Sequence, residues 1–312
     1  MRTRGVALLV AVVVVAIITL MATQVSTFTL LDESRVSGMM LADQALEITF
    51  GAEGLAQETL QEIINKEPDK INLSQAWAVP QSLPYSTGRI DVQVEDLQGR
   101  LNVNNVLNAN GTPNLVVIEQ LRRLFRTLQI DPSLVDKWVD WVDADNQPYG
   151  TNGAEDAVYL SLTPALRPAN RPVTSVSSLR YLPGLEPEQY ERLRPYLAAL
   201  PSGTKLNLCT ARAAVLASLA DGFAAFSQDE RQLNQQRRSG CFPKLADVQP
   251  ILAGQLRDPA VIGQITGQLA ENSNYFMVHS TITQGSFSLT SHSVLLVGAG
   301  GGAVLRRSVG WE

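Results

Sequence analysis

Cysteine and histidine are scarce, with two of each among 312 residues. Two cysteines exclude a disulfide-dense scaffold and a zinc site made of cysteine alone. Two histidines leave little room for histidine-based metal chemistry. A basic excess is missing as well, because 25 lysines and arginines are outnumbered by 30 aspartates and glutamates. The resulting net charge of -5 argues against the polyanion-binding surface of a DNA- or RNA-binding protein.

Sequence motifs of the common enzyme classes are also missing. The chain has no Gly-x-Ser-x-Gly, no paired His–Cys arrangement and no lysine-bearing phosphate loop. His279 and His292 fall in patterns typical of strands, so they are interpreted as sheet residues rather than as ligands or bases. Nothing in the sequence favours an enzyme. A hydrophobic fraction of 45% and a charged fraction of 18% predict a folded chain of one large domain or two modest ones.

What the chain does have is a long apolar run near its N-terminus. Residues 6–18 are all apolar, Thr19 is the first polar residue, and the run continues for three more positions. A helix of this length spans about 26 Å, which is close to the thickness of a bilayer core. Arg2 and Arg4 precede the run, and the first acidic residue is Asp32. The positive-inside rule therefore places the short N-terminus in the cytoplasm and the remaining chain across the membrane.

Three interpretations of this segment stay open. A cleaved secretory signal needs a small-x-small site after the run, which residues 21–24 fit poorly. An uncleaved single-pass anchor is the second interpretation. The third is a prepilin, in which cleavage after Gly5 makes Val6 the first residue of the mature chain and keeps the whole apolar helix.

A helical pattern continues beyond the membrane segment. Apolar residues recur at spacings of three to five between Leu41 and Ile63, with acidic residues and glutamines between them, and Pro68 ends the pattern. We expect one helix over 6–66, half in lipid and half packed on a domain, which is the plan of a pilin. Residues 67–88 contain three prolines and are predicted to form a loop.

Alternating patterns appear in two separate parts of the chain. Ile90, Val92 and Val94 predict a half-buried strand, a second strand is expected from Leu101, and alternation resumes from Tyr275. Helical patterns fill the sequence between, with helices expected, among others, near 175–182, 187–199 and 210–226. The predicted fold is therefore α+β and pilin-like: a long N-terminal helix packed on a small antiparallel sheet, with a large α-helical domain inserted in the sheet. The expected bounds are 1–5 for a leader, 6–66 for the helix, 87–110 and 273–312 for the two parts of the sheet, and 111–272 for the inserted domain.

Four stretches give the chain a family resemblance. They are 5–9 (GVALL), 95–104 (EDLQGRLNVN), 140–145 (DWVDAD) with 153–156 (GAED) and Tyr159, and 199–201 (ALP) with 206–211 (LNLCTA). With these stretches the chain resembles, over essentially its full length, the minor pseudopilin K family of the type II secretion system. The resemblance implies a pilin fold with a large helical domain inserted in its sheet.

The resemblance also implies a processing route and a set of partners. A prepilin peptidase would cut after Gly5 and methylate Val6, which leaves a single-pass inner-membrane protein with its bulk in the periplasm. The expected partners are the minor pseudopilins I, J and H, the major pseudopilin G and the inner-membrane assembly platform, and the secretin and exported substrates are further candidates. The implied role is to initiate and cap the pseudopilus that exports folded proteins.

Val10 stands at the fifth position of the mature chain, where most pilins and pseudopilins carry a glutamate. That glutamate is thought to pair with a neighbour's N-terminal amine, and an unpaired carboxylate in a membrane is costly. A valine therefore suits a subunit with no neighbour above it, and the alternative is that Val10 is simply another lipid-facing residue. For the function of the whole chain, three alternatives to a minor pseudopilin stay open. They are a minor pilin of a type IV pilus or a competence system, a membrane-anchored periplasmic DNA-binding protein, and a membrane-anchored periplasmic enzyme.

Residues 131–156 carry seven acidic side chains and a single base, Lys137. Such a segment repels itself unless a cation is present, and its oxygen donors suit Ca²⁺. The spacing does not fit an EF-hand, and a solvated acidic loop is the alternative. The resemblance implies calcium binding in the helical domain. The expected ligands of this structural ion are Asp143, Asp145, Glu155 and Asp156, with Asp140 as a further candidate.

Cys209 and Cys241 would lie in the oxidising periplasm. A disulfide between them would close a loop of about 33 residues and contribute roughly 3–4 kcal/mol to stability. Two separate buried thiols are the alternative.

Overall fold

A computed structural model of the chain describes residues 3–221 and 229–310. Its first element is α1 (Thr3–Lys66), a helix of 64 residues. By length and composition this helix is able to cross a membrane. The side chains from Val6 to Met40 are exposed, and Ala45 is the first buried residue. The membrane segment therefore stands clear of the folded part, and α1 meets that part with its second half.

The folded part is built around one antiparallel sheet. The strands within the described residues are β1 (Gln81–Tyr85), β2 (Gly88–Asp96), β3 (Leu101–Asn102), β4 (Leu197–Ala198), β5 (Leu206–Asn207), β6 (Leu269–Ala270), β7 (Tyr275–Gln284), β8 (Phe287–Gly298) and β9 (Gly301–Val309). Five of them form the sheet, in the order β1-β2-β7-β8-β9. Because β2 and β7 are neighbours in this sheet, residues 97–274 are inserted between two adjacent strands.

The second half of α1 packs on one face of the sheet. Apolar side chains from α1, the segment after it, β7 and β8 form the core there; they are Ala56, Leu60, Ile64, Ile71, Trp77, Phe276, Val278, Leu295 and Val297. An ion pair also stabilises this interface, because Arg307 Nε donates to both carboxylate oxygens of the buried Glu53, at 2.9 and 2.8 Å. Alternation along β7 leaves His279 on the opposite face of the sheet.

The inserted block is mostly helical. Its helices within the described residues are α2 (Leu115–Thr127), α3 (Leu134–Val142), α4 (Asp156–Leu160), α5 (Pro187–Leu193), α6 (Ala213–Ala217), α7 (Glu230–Gln236), α8 (Leu245–Gln255) and α9 (Pro259–Gly267). Two short parallel pairs, β3 with β4 and β5 with β6, tie distant parts of it together. Its own core includes the buried side chains of Phe125, Trp138 and Tyr159. The predicted α+β fold, with a helical domain inserted in a sheet on a long helix, is confirmed.

Two predicted boundaries are wrong. The predicted loop 67–88 contains β1, an edge strand in which Pro84 is tolerated because no strand among the described residues pairs with its outer side. The predicted sheet segment 87–110 contributes only β2, since the strand at Leu101 is β3 and pairs with β4 inside the block. After β3 the chain forms a 3-10 turn, in which Val103 is buried. The apolar residues Leu101 and Val103 therefore do not belong to a strand of the five-stranded sheet. The insertion therefore covers 97–274 instead of 111–272.

Three predicted helices are shorter than expected. The segment 175–182 forms a 3-10 turn, Val176–Tyr181. The helix expected at 187–199 ends at Leu193, because the chain then forms a second 3-10 turn and β4. The helix expected at 210–226 is α6, which ends at Ala217, and the last part of that prediction lies outside the described residues.

Cys209 and Cys241 are joined as a disulfide in the block. Arg237, which is 2% exposed, donates from Nε to the carbonyl of Phe242 and from Nη2 to that of Leu208, both at 2.7 Å. These carbonyls belong to the residues next to the two cysteines, so Arg237 and the disulfide hold the same two chain segments together.

Candidate metal centre

Helix α3 delivers the acidic side chains to one place. Asp136 and Asp140 are four residues apart and share a face of the helix, while Asp143 is the residue at its C-terminal cap. The helix is fixed by its apolar side chains and by Trp138, whose Nε1 donates to the carbonyl of Val103 at 2.9 Å. Carboxylates at this end face the negative end of the helix dipole. The sequence thus places anions where the helix itself disfavours them.

The loop after α3 folds back over Asp140. This buried carboxylate accepts hydrogen bonds from the backbone N–H of Tyr149, at 2.7 Å, and from that of Ala154. Glycine is required at position 153, because a Cβ there would lie 2.4 Å from Asp140 Oδ2 and 2.6 Å from Tyr149 N. The loop therefore returns to the end of α3 and brings Glu155 next to it.

Asp140, Asp143 and Glu155 form the acidic cluster. One carboxylate oxygen from each lies within 4.8 Å of the other two, and all three side chains are buried. Oδ1 of Asp143 and both carboxylate oxygens of Glu155 have no hydrogen-bond partner within the described residues. Burying a carboxylate without a partner costs several kcal/mol or more, so the cluster needs protons or a cation.

The pKa values of the cluster are raised. Burial is the largest cause, repulsion between the carboxylates adds to it, and for Asp140 the two backbone hydrogen bonds oppose it. The pKa of Asp140 rises to about 6, and those of Asp143 and Glu155 rise to about 7. Near neutral pH the three groups therefore compete for protons, and a cation that displaces those protons would be favoured.

Two bases on α2 and α3 are engaged elsewhere. Lys137 Nζ donates to the carbonyl of Pro183 at 2.8 Å. Arg122 forms ion pairs with Glu119 and Asp136. The donors that converge are thus carboxylate oxygens, without the nitrogen or sulfur that zinc prefers. This set fits a hard divalent cation such as Ca²⁺.

Three of the five predicted ligands come together and two do not. Asp145 is exposed, and its Oδ1 accepts from the backbone N–H of Gln147 at 2.7 Å. Asp156 is half-buried on the first turn of α4, with Arg167 Nε 3.9 Å away. Both act on the cluster through space, because their charges raise the pKa of Glu155. Asp140, the weakest candidate from the sequence, is fully buried at the centre.

An aromatic wall of Trp141, Tyr159 and Tyr181 lies beside the cluster. The Trp141 ring meets that of Tyr159 edge-on at 5.1 Å and stacks on that of Tyr181 at 5.7 Å between centroids. The Tyr159 hydroxyl is buried without a partner in the described residues, and burial, Asp140 and Glu155 raise its pKa. Sequence reasoning missed this wall, although Trp141 and Tyr159 belong to the same motif stretches as the carboxylates.

Two further motif stretches, 95–104 and 206–211, meet at the joint between the sheet and the inserted block. Asp96, at the end of β2, accepts four hydrogen bonds, from Gln98 N (2.8 Å), Asn207 Nδ2 (3.0 Å), Thr210 Oγ1 (2.6 Å) and Ser273 Oγ (2.6 Å). Gly99 lies so close to Thr210 that a Cβ would be 2.9 Å from its carbonyl oxygen. The stretches 95–104 and 206–211 are therefore architectural.

The predicted processing site lies at the start of α1, which includes Gly5. Val6 and Val10 are exposed on the free part of the helix. Cleavage after Gly5 stays a prediction.

Comparison with known proteins places these features among secretion components. A family model described as type II secretion system (T2SS), protein K matches residues 99–202, which include the acidic cluster. Type II secretion system protein K of Pseudomonas aeruginosa is 35% identical over 228 residues, covering 69% of this chain and 67% of that protein. The protein of the same name from Klebsiella pneumoniae is 30% identical over 307 residues, covering 94% and 92%.

Among solved structures, the chain is similar to one chain of the crystal structure of the GspK-GspI-GspJ complex from the enterotoxigenic Escherichia coli type 2 secretion system. The TM-score is 0.77 and the sequence identity 27%, and the match covers 89% of this chain and 100% of that chain. The similarity thus extends beyond the sheet into the inserted block.

Proposed function

This chain belongs to the type II secretion system protein K family, and we propose that it is a minor pseudopilin that initiates and caps the pseudopilus during export of folded proteins. The observation that carries the proposal is the helical block inserted between β2 and β7. The sheet that contains these strands packs on the second half of α1, and within the described residues the apolar first half of α1 has no contact with the folded part. Apolar helices of this kind pack against the same helices of other subunits along a fibre. A block of this size hinders a further subunit from stacking above this one. The role is structural rather than catalytic.

The free part of α1 supports a position at the tip. After cleavage at Gly5, Val10 would be the fifth residue of the mature chain. The first carboxylate side chain along the helix is that of Asp32. A subunit with a neighbour above it gains from a carboxylate that pairs with that neighbour's amine, and without the neighbour the carboxylate would be buried unpaired in lipid. Valine at this position suits the first subunit of a fibre.

The similar Escherichia coli chain comes from a GspK-GspI-GspJ complex, and from this similarity we infer that the chain assembles with minor pseudopilins of types I and J. The folded half of α1 offers a contact surface for them. Phe50 and Leu55 are 41% and 53% exposed there. An apolar groove of about 410 Å³ runs beside Leu55, between α1 and the β1–β2 edge, with Trp77 and Val92 in its walls.

We place α1 across the inner membrane and the remaining chain in the periplasm. Arg2 and Arg4 flank the apolar run on one side, and the acidic residues lie on the other, which agrees with the positive-inside rule. The disulfide between Cys209 and Cys241 supports this orientation, because structural disulfides persist in the periplasm and are rare in the cytosol.

We also propose that the acidic cluster holds a structural Ca²⁺. Asp140, Asp143 and Glu155 would bind it through carboxylate oxygens, and the unpaired oxygens of Asp143 and Glu155 support this assignment. The ion would supply the positive charge that cancels their repulsion. The chain itself brings the end of α3 and the start of α4 together through the loop hydrogen bonds to Asp140. The ion would therefore tie these two helices to the loop between them.

Co-purification tests the proposed assembly. The full chain, with an affinity tag, is co-expressed with the I- and J-type minor pseudopilins and extracted in detergent, and we expect a stable three-component complex. Leu55→Asp should lose both partners, because it places a charge in the apolar contact surface. Leu115→Asp is the matched control, since Leu115 is 65% exposed on the inserted block, and it should retain them. A wild-type chain that captures neither partner, or a Leu55→Asp chain that captures both fully, would overturn the proposal.

A further inference from the structure

The two histidines of the chain meet in the folded protein. They are thirteen positions apart in the sequence, and the pairing of β7 with β8 places His279 directly opposite His292. Their Nδ1 atoms lie 2.7 Å apart. Both side chains are partly exposed, on the sheet face opposite α1. The imidazole pair, His279 with His292, is therefore accessible to a small ion from solvent.

A carboxylate orients the pair from the other side of His279. Oε2 of Glu95 lies 3.6 Å from His279 Nε2, and Glu95 is itself fixed by Arg100, whose Nε donates to it at 3.1 Å. Burial alone would raise the pKa of Glu95, but the polar contact with His279, the hydrogen bonds from Arg100 and the charges of Arg100 and Arg212 lower it to about 2. The carboxylate thus stays ionised and favours a proton on Nε2 of His279, which leaves the lone pair of Nδ1 directed at His292.

In proteins, the distal ring nitrogen of a metal-binding histidine faces a carboxylate while the proximal one binds the ion, and Glu95 lies on the distal, Nε2 side of His279 in the same order. We propose that His279 and His292 bind a late first-row divalent transition metal ion, Cu²⁺ or Ni²⁺, through their two Nδ1 atoms. One of the Nδ1 atoms carries the proton of the present hydrogen bond, so binding requires that imidazole to take the Nε2–H tautomer. Water completes the coordination from the exposed side.

The imidazole donors select the class of ion. With metal–nitrogen bonds of about 2.0 Å, two ligands at right angles are about 2.8 Å apart and two tetrahedral ligands about 3.3 Å. The observed 2.7 Å is the length of the present hydrogen bond, along which the two rings are nearly in line, so both imidazoles have to turn until their lone pairs converge on the ion. Square-planar or tetragonal sites are preferred by Cu²⁺ and Ni²⁺, and Cu²⁺ binds most tightly of the series. Zn²⁺ should therefore bind this pair more weakly than Cu²⁺.

Copper titration of the full chain in detergent tests the proposal. The affinity tag must contain no histidine, and saturating Ca²⁺ keeps the acidic cluster out of the measurement. We expect one Cu²⁺ per chain and an electron paramagnetic resonance spectrum split by two imidazole nitrogens. Because the chain has no other histidine, labelling histidine with ¹⁵N must change that splitting.

Single variants provide the matched comparison. His279→Gln and His292→Asn should each weaken Cu²⁺ binding by at least roughly tenfold. Thr290→Ala is the control. Thr290 pairs with Thr281 on the same two strands, two residues away from the imidazole pair, so this substitution leaves both imidazoles in place. If a histidine variant fails to fold, the ¹⁵N-dependent spectrum of the wild-type chain decides alone. A spectrum without imidazole nitrogen, or equal binding by the folded histidine variants, would show that the pair is a hydrogen bond only.

Discussion

Single carboxylates decide how the acidic loop behaves. Asp140 is hydrogen-bonded to the loop backbone, whereas Asp143 and Glu155 bring buried oxygens that have no partner within the described residues. The three side chains repel one another, and burial raises all three pKa values. The loop therefore folds against an electrostatic cost that a bound cation would remove.

Glu155→Gln and Asp143→Asn should each lose most of the stabilisation that calcium gives, because each removes one anionic ligand. Wild type should gain about 2.7 kcal/mol when free Ca²⁺ is a hundred times its Kd. Thermal unfolding of the full chain in detergent, with Ca²⁺ or with a chelator, measures this gain. In the chelator, Glu155→Gln should be more stable than wild type, because one repelling charge is gone.

Asp145→Asn is the matched control for these variants, since Asp145 is acidic and in the same loop but exposed. It should keep most of the response to calcium. A response equal to that of wild type in Glu155→Gln and Asp143→Asn would mean that calcium, if bound, lies elsewhere.

Asp96 should make the stability of the joint depend on pH. Its pKa is about 6 in the folded protein, with burial as the largest cause, and about 3.9 in an unfolded chain. The folded state thus binds the proton more tightly. The resulting stabilisation is complete below about pH 4 and is lost as the pH rises through 6, a change of about 3 kcal/mol.

Asp96→Asn removes this dependence while keeping a side chain of similar shape. Urea unfolding of both proteins, with calcium chelated throughout, should show the largest advantage of wild type near pH 4 and the smallest near pH 7. An advantage that does not change with pH would mean that Asp96 has an ordinary pKa in the folded state.

Among the elements, α1 is the one whose attachment to the sheet matters most for a fibre subunit. Its second half is held by an apolar core and by the ion pair of Glu53 with Arg307, in which Glu53 is 3% exposed. The first half has no support from the folded part. Forces along a fibre would therefore reach the sheet through the second half of α1.

Arg307→Leu should weaken this attachment by roughly 2 kcal/mol, because it leaves the buried Glu53 carboxylate without its cation. The double variant Glu53→Gln/Arg307→Leu should recover part of that loss, since glutamine carries no charge to bury. Thermal unfolding of the full chain measures both. Lys66→Met, which breaks the exposed ion pair with Glu62 on the same helix, should leave stability unchanged. Equal losses in the single and double variants would show that charge burial is not the cause.

How far the elements could be predicted from the sequence depended on how local their signals are. The long helix and the interrupted sheet were predictable, because apolar spacing and strand alternation are local patterns. The edge strand β1 was not, because Pro84 and exposed side chains hide it. The sequence located the acidic loop by its charge, but which carboxylates converge depends on the return of the loop across Gly153. Likewise, only the register of β7 and β8 reveals that His279 and His292 meet.

For the whole molecule, the fold separates two tasks. The apolar helix and the sheet provide the part that a fibre of similar subunits can incorporate, and the inserted block makes this subunit different from the rest. The acidic cluster and the disulfide both lie in the block, so they stabilise the part that distinguishes the subunit. This division fits a subunit that is needed once, at the start of a fibre.

The proteins released into the medium by a strain that lacks this chain are the first thing to measure, beside the parent strain and a strain complemented with the full chain. We expect the secreted hydrolases to accumulate in the periplasm of the deletion strain and to return to the medium on complementation. Normal secretion with impaired DNA uptake or surface motility would move the chain to another pilus machine. Normal secretion, uptake and motility together would rule out the role as a minor pseudopilin.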